Sequence, residues 1–120
     1  MDVIRLNKML FYGYHGVSDS EKELGGKFEV DIEMYRSLEK PGESDNLSDT
    51  IDYEAAYKVV DLCMHNKKYF LIEALAETIC KTLLKKFFIN RVKVRVRKPN
   101  APVKGVLEFV EVELDRGGNS

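Results

Sequence analysis

Phe28, Val30, Ile32 and Met34 alternate with Glu29, Asp31, Glu33 and Tyr35, and that period of two predicts a half-buried strand. The segment before it, VIRLNKMLFY (3–12), is strand-like but alternates imperfectly. After Pro41 and Gly42 the period becomes helical. Ala56, Val59, Val60, Cys63 and Met64 form one apolar stripe behind Asp52, a residue suited to cap a helix start. Ile72, Leu75, Ala76, Ile79, Cys80, Leu83, Leu84 and Phe87 form a second stripe. Strand periodicity returns in RVKVRVR (91–97) and VLEFVEVEL (106–114). The predicted order is ββααββ, an α+β fold with two helices packed on one face of an antiparallel sheet.

Length adds that 1–120 is a single domain, with 115–120 expected to fray as a tail. Hydrophobic residues make up 44% and charged residues 32%, which suits a soluble globular chain able to bury a core without metal or disulfides. A net charge of −1 gives no electrostatic reason to expect nucleic acid or an anionic membrane as partner. Arg91, Lys93, Arg95 and Arg97 could suggest nucleic acid locally. Glu29, Asp31, Glu33, Glu111 and Glu113 on the flanking strands instead predict a solvated face of cross-strand pairs, each contributing up to ~1 kcal/mol. Cys63 and Cys80 read as reduced, buried thiols. MDVIRLNKMLF lacks the apolar core of a signal peptide, so the expected location is cytoplasmic.

Chemistry is expected in the irregular connections 13–26, 37–51 and 98–105. His15 and His65 are the only histidines, and no metal-ligand spacing accompanies them, so neither a metal nor another cofactor is expected. His15, alone between a tyrosine and a glycine, reads as structural. Gly13 and Gly16 read as the residues that let the chain leave its first strand. On residue type alone, Glu73 is a first-turn acid favoured by the helix dipole, Lys98 one base among several, and Glu21 a loop carboxylate. Tyr53, at a helix start, could serve packing or a site.

FYGYHG with Glu21 downstream, then SDNLSDTIDY, FLIEALAE and VRVRKPNAPVKG, resembles the dihydroneopterin aldolase family from about residue 3 to residue 114. The resemblance implies the tunnelling fold: four subunits close their sheets into a β-barrel ring, and two rings commonly stack as a homo-octamer. It implies a lyase of folate biosynthesis that cleaves 7,8-dihydroneopterin into 6-hydroxymethyl-7,8-dihydropterin and glycolaldehyde. Acid/base catalysis suffices there, because the pterin C=N bond accepts the electrons released by C–C cleavage; no Schiff base or metal is required.

Position by position, the resemblance makes Glu73 the pterin anchor, with Leu71 and Ile72 contributing backbone contacts. Lys98 matches the catalytic acid/base. Tyr53 matches the tyrosine that helps protonate the intermediate, supplied by a neighbouring subunit, and Glu21 the acid that binds the hydroxylated side chain. Two alternatives stay open. One is a dihydroneopterin (triphosphate) epimerase on the same fold, for which Lys22, Lys27 and Lys104 are candidate phosphate partners. The other is a ring protein that binds pterin without turning it over.

Overall fold

The computed structural model describes residues 1–99 and 103–117. Four strands, β1 (Asp2–Gly13), β2 (Gly26–Arg36), β3 (Arg91–Lys98) and β4 (Val110–Gly117), form one sheet in the order β1-β2-β3-β4, antiparallel throughout. Two long helices, α3 (Tyr53–His65) and α4 (Ile72–Lys86), cover one face. Val30, Ile32, Met34, Val92, Val94 and Val96 supply the sheet side of the core and are fully buried. Val60, Met64, Leu75, Ile79 and Leu83 answer from the helices. Each such aliphatic side chain contributes roughly 1.5–3 kcal/mol by leaving water.

The imperfect alternation of β1 has a structural cause. Leu6 pairs with Ile32 and Met9 with Val30, so three steps on β1 oppose two on β2, a β-bulge. Lys8 takes a positive φ of 55° there, and its N–H donates to Asp31 Oδ1 at 2.6 Å. Before the bulge Ile4 and Leu6 lean on the core; after it Met9 and Phe11 are buried.

Three expectations are corrected. The connections 13–26 and 37–51 are not wholly irregular: they hold the short helices α1 (Asp19–Leu24) and α2 (Glu39–Ser44), and a 3₁₀ turn at Leu47–Asp49. The last strand begins at Val110 rather than 106, because its partner ladder stops at Lys98 and the next residue, Pro99, has no N–H to donate. That strand continues to Gly117, so 115–117 are paired, while 118–120 lie outside the described residues.

The charged sheet face is also less exposed than expected. Asp31, Glu33 and Arg97 are only 9%, 6% and 8% exposed. Arg97 holds Asp31 with two 2.8 Å bonds, and reaches Glu29 at 3.0 Å and Glu111 at 2.9 Å. Arg95 bridges Asp31, Glu33 and Glu113. The pairing is partly diagonal, because a long guanidinium spans more than its directly opposite residue.

Candidate active site

The chain leaves β1 through Tyr14, His15 and Gly16 and is fastened where it does so. His15, 2% exposed, donates from Nε2 to the Met64 carbonyl at 2.8 Å and accepts the Tyr69 N–H on Nδ1 at 3.0 Å. The Gly16 N–H donates to the Tyr69 carbonyl at 2.9 Å. The segment is thereby pinned to the end of α3 and to the chain entering α4. Burial pushes the His15 imidazole below its ordinary range, against the Met64 hydrogen bond. Both ring nitrogens are occupied, so the structural reading of His15 holds.

Beyond Gly16, Ser18 caps α1 with a reciprocal capping box to Glu21. A Cβ at Gly16 would lie 2.4–2.6 Å from the Glu21 side chain, and Gly16 has a φ of +155°. Glycine is therefore required on both counts. Glu21 Oε2 meets Lys98 Nζ at 2.7 Å, joining α1 to the end of β3. Both side chains are largely buried, at 17% and 16% exposed. Burial pushes the Glu21 carboxyl up, but the Lys98 and Ser18 hydrogen bonds outweigh it and hold it below the usual carboxylate range.

Two clefts meet at this ion pair. One, about 220 Å³, is lined by His15, Lys27, Phe28, Glu21 and Lys98. The other, about 280 Å³, adds Phe70, Leu71, Ile72 and Glu73 to the same pair, with Val110 and Val112 opposite. Leu71 is the N-cap of α4 and makes no side-chain cap, so the Ile72 and Glu73 N–H groups face the cleft's end of the helix without a capping acceptor. Glu21, Lys98, Glu73, Leu71 and Ile72 thus share one locus. Tyr53 does not join them. It opens α3, is 67% exposed, and stands twelve residues before His65, about 18 Å along the helix from the end beside His15.

Chemically, the locus offers a carboxylate and helix N–H groups for a flat, polar ligand edge. Beside them, an ammonium–carboxylate pair can hold or move a proton. Reading the sequence missed Ser18, although S-D-S-E carries the spacing of a capping box. It also missed the walls formed by Val17, Phe70, Val110 and Val112, which no local motif announces.

A family model described as dihydroneopterin aldolase matches residues 4–115. The dihydroneopterin aldolase of Bacillus subtilis is 38% identical over 117 residues, covering 97% of this chain and 98% of that protein. That of Staphylococcus epidermidis is 42% identical over 118 residues, covering 96% of each. The crystal structure of Escherichia coli dihydroneopterin aldolase in complex with neopterin superposes with a TM-score of 0.90 at 27% identity, covering 98% of this chain and 100% of that one.

Proposed function

The chain belongs to the dihydroneopterin aldolase family and is a lyase of folate biosynthesis, and from that premise we propose how its own residues cleave 7,8-dihydroneopterin. Glu73 accepts the 2-amino and N3–H pair of the pterin, while the Leu71 and Ile72 backbone borders the ring. Glu21 receives the hydroxyls of the side chain. Lys98, directly or through water, takes the proton of the side-chain hydroxyl next to the bond that breaks. That hydroxyl carbon departs as the aldehyde of glycolaldehyde, and the bonding pair moves into the pterin C=N. Returning a proton to the remaining carbon gives 6-hydroxymethyl-7,8-dihydropterin. The observation that carries this reading is the 2.7 Å Lys98–Glu21 pair standing in the same cleft as Glu73.

Tyr53 fits this scheme as the proton-delivering group of a neighbouring subunit, since it is remote from its own cleft. The volumes of 220 and 280 Å³ fall short of the roughly 300–1,000 Å³ of complete ligand pockets, which supports a further wall from a second copy. A tetrameric barrel ring, stacked as an octamer, would supply it. The protomer has a radius of gyration of 15.6 Å, against about 13.6 Å for a compact chain of this length. Its outer strands β1 and β4 are left as open sheet edges. Epimerisation belongs to the same chemistry as a side activity: re-adding the aldehyde by its other face inverts the hydroxyl. We place the enzyme in the cytoplasm; no helix among the described residues is long and apolar enough to cross a membrane.

Glycolaldehyde release from 7,8-dihydroneopterin tests the roles. Lys98→Ala is expected to lose on the order of 10²–10⁴ in turnover with pterin affinity kept within a few-fold, whereas Glu73→Ala mainly weakens binding. Equal and small effects from both overturn the assignment. Epimer formed without glycolaldehyde would identify epimerisation as the main reaction.

A further inference from the structure

Glu21 divides its carboxylate between two tasks. Oε2 lies on Lys98, while Oε1 accepts the Val17 N–H at 3.2 Å, the Ser18 N–H at 3.3 Å and the Ser18 hydroxyl at 3.2 Å. The same hydroxyl accepts the Glu21 N–H at 3.1 Å. Helix packing does little to fix this geometry, because α1 has six residues and none of them reaches full burial, the Glu21 side chain coming nearest at 17% exposed. A helix that short is not self-sustaining, and a free glutamate side chain has several rotamers to choose among. Besides Lys98 itself, the Val17 and Ser18 bonds to Oε1 and the close fit against Gly16 are what orient it, and the Ser18 hydroxyl is the side-chain donor among them.

Resting on the roles given above to Glu21 and Lys98, we propose that Ser18 is a positioning residue of the cleavage reaction: by holding one Glu21 oxygen it keeps the other on Lys98 at the cleft. Ser18 itself makes no hydrogen bond to Lys98 or Glu73 among the described residues, so its influence runs through Glu21. The charged groups sharing Glu21's clefts are Lys98 from β3, Lys27 from β2 and Glu73 from α4, beside the imidazole of His15. None of these replaces the Ser18 donors to Oε1. Misplacing a catalytic pair by an ångström can cost on the order of 10²-fold, so a loosened Glu21 should show in turnover before it shows in binding.

Three variants separate positioning from simple helix capping. Ser18→Ala is expected to lower kcat roughly tenfold while KM stays within about twofold, and Ser18→Thr to restore it. Ser18→Asp keeps a good cap for α1, but its side chain cannot donate to Glu21 and repels the carboxylate, leaving the backbone N–H as residue 18's donor. It should therefore melt like the wild type yet lose at least as much kcat as Ser18→Ala. The acid limb of the kcat–pH profile should move to higher pH in the Ala and Asp variants, because Glu21 loses the Ser18 hydroxyl bond that favours its charged form while the Val17 and Ser18 N–H bonds remain. Wild-type turnover in Ser18→Asp, or an unmoved acid limb in both variants, overturns the inference. Lys98→Ala in the same assay keeps two failures apart. If it is inactive while Ser18→Asp is unimpaired, only the role of Ser18 falls; if it is fully active, the reading of the site falls with it.

Discussion

His15 shows how much a single neutral side chain can hold in place. One ring nitrogen donates to the end of α3 and the other accepts from Tyr69, so the Glu21 segment and the approach to α4 are tied at one point. Protonating Nδ1 would convert that acceptor into a donor facing the Tyr69 N–H. The folded imidazole sits below its ordinary value, so in the window beneath pH ~6.5 the unfolded chain binds a proton that the folded one refuses. Stability is thus fully present above that window and declines as pH falls from it toward the folded value. Urea titrations across this range should show the slope in wild type. It should be reduced in His15→Gln, whose amide can donate and accept without titrating. Equal slopes in the two proteins would mean that His15 is not the linked group.

At the scale of elements, the sheet is joined by ions as well as by backbone. Asp31 on β2 takes two bonds from Arg97 and one from Arg95, and also accepts the Lys8 N–H at the bulge of β1. The Arg97 guanidinium, followed by burial acting the other way and by the Lys8 and Arg95 bonds, holds Asp31 well below the usual carboxylate range. Asp31→Asn should destabilise the fold by about 3–5 kcal/mol, because it leaves Arg97 buried beside a neutral amide. A lowered urea midpoint at unchanged m would show it; a change under 1 kcal/mol would mean that Glu29 and Glu111 compensate. The alternation of charges predicted which strands carry partners, since a period of two names the face. It could not give the diagonal reach of Arg97 or its burial, which depend on side-chain length and neighbours. The helices were legible because their stripes are long and their apolar intervals consistent. Helix α1 was not, because it has no apolar stripe and only its cap marks it. At the site, Glu73 and Lys98 could be named through motifs in register. Their meeting with Glu21 could not, since the Lys98–Glu21 contact joins residues 77 positions apart.

For the whole molecule, the separation of Tyr53 from Lys98 has a sharp consequence if sites form between copies. Lys98→Ala and Tyr53→Phe subunits, each nearly inactive alone, should regain glycolaldehyde release when unfolded together and reassembled. Some mixed interfaces then carry an intact Lys98 and an intact Tyr53. Mixtures no more active than the sum of the parents would place both residues in one subunit's site or deny Tyr53 a part. The bulge at Lys8 sets this arrangement in a further way. It is a change of phase: even-numbered side chains face inward ahead of it, odd-numbered ones behind it. Straightening the strand there at unchanged length would turn either Ile4 and Leu6 or Met9 and Phe11 outward. Loss of one residue would instead restore plain alternation with all four inward, and remove the bulge whose Lys8 N–H holds Asp31. The bulge thus absorbs one extra residue, so that apolar positions of opposite parity reach the same core and the chain still leaves for Glu21 at Gly13, opposite Gly26.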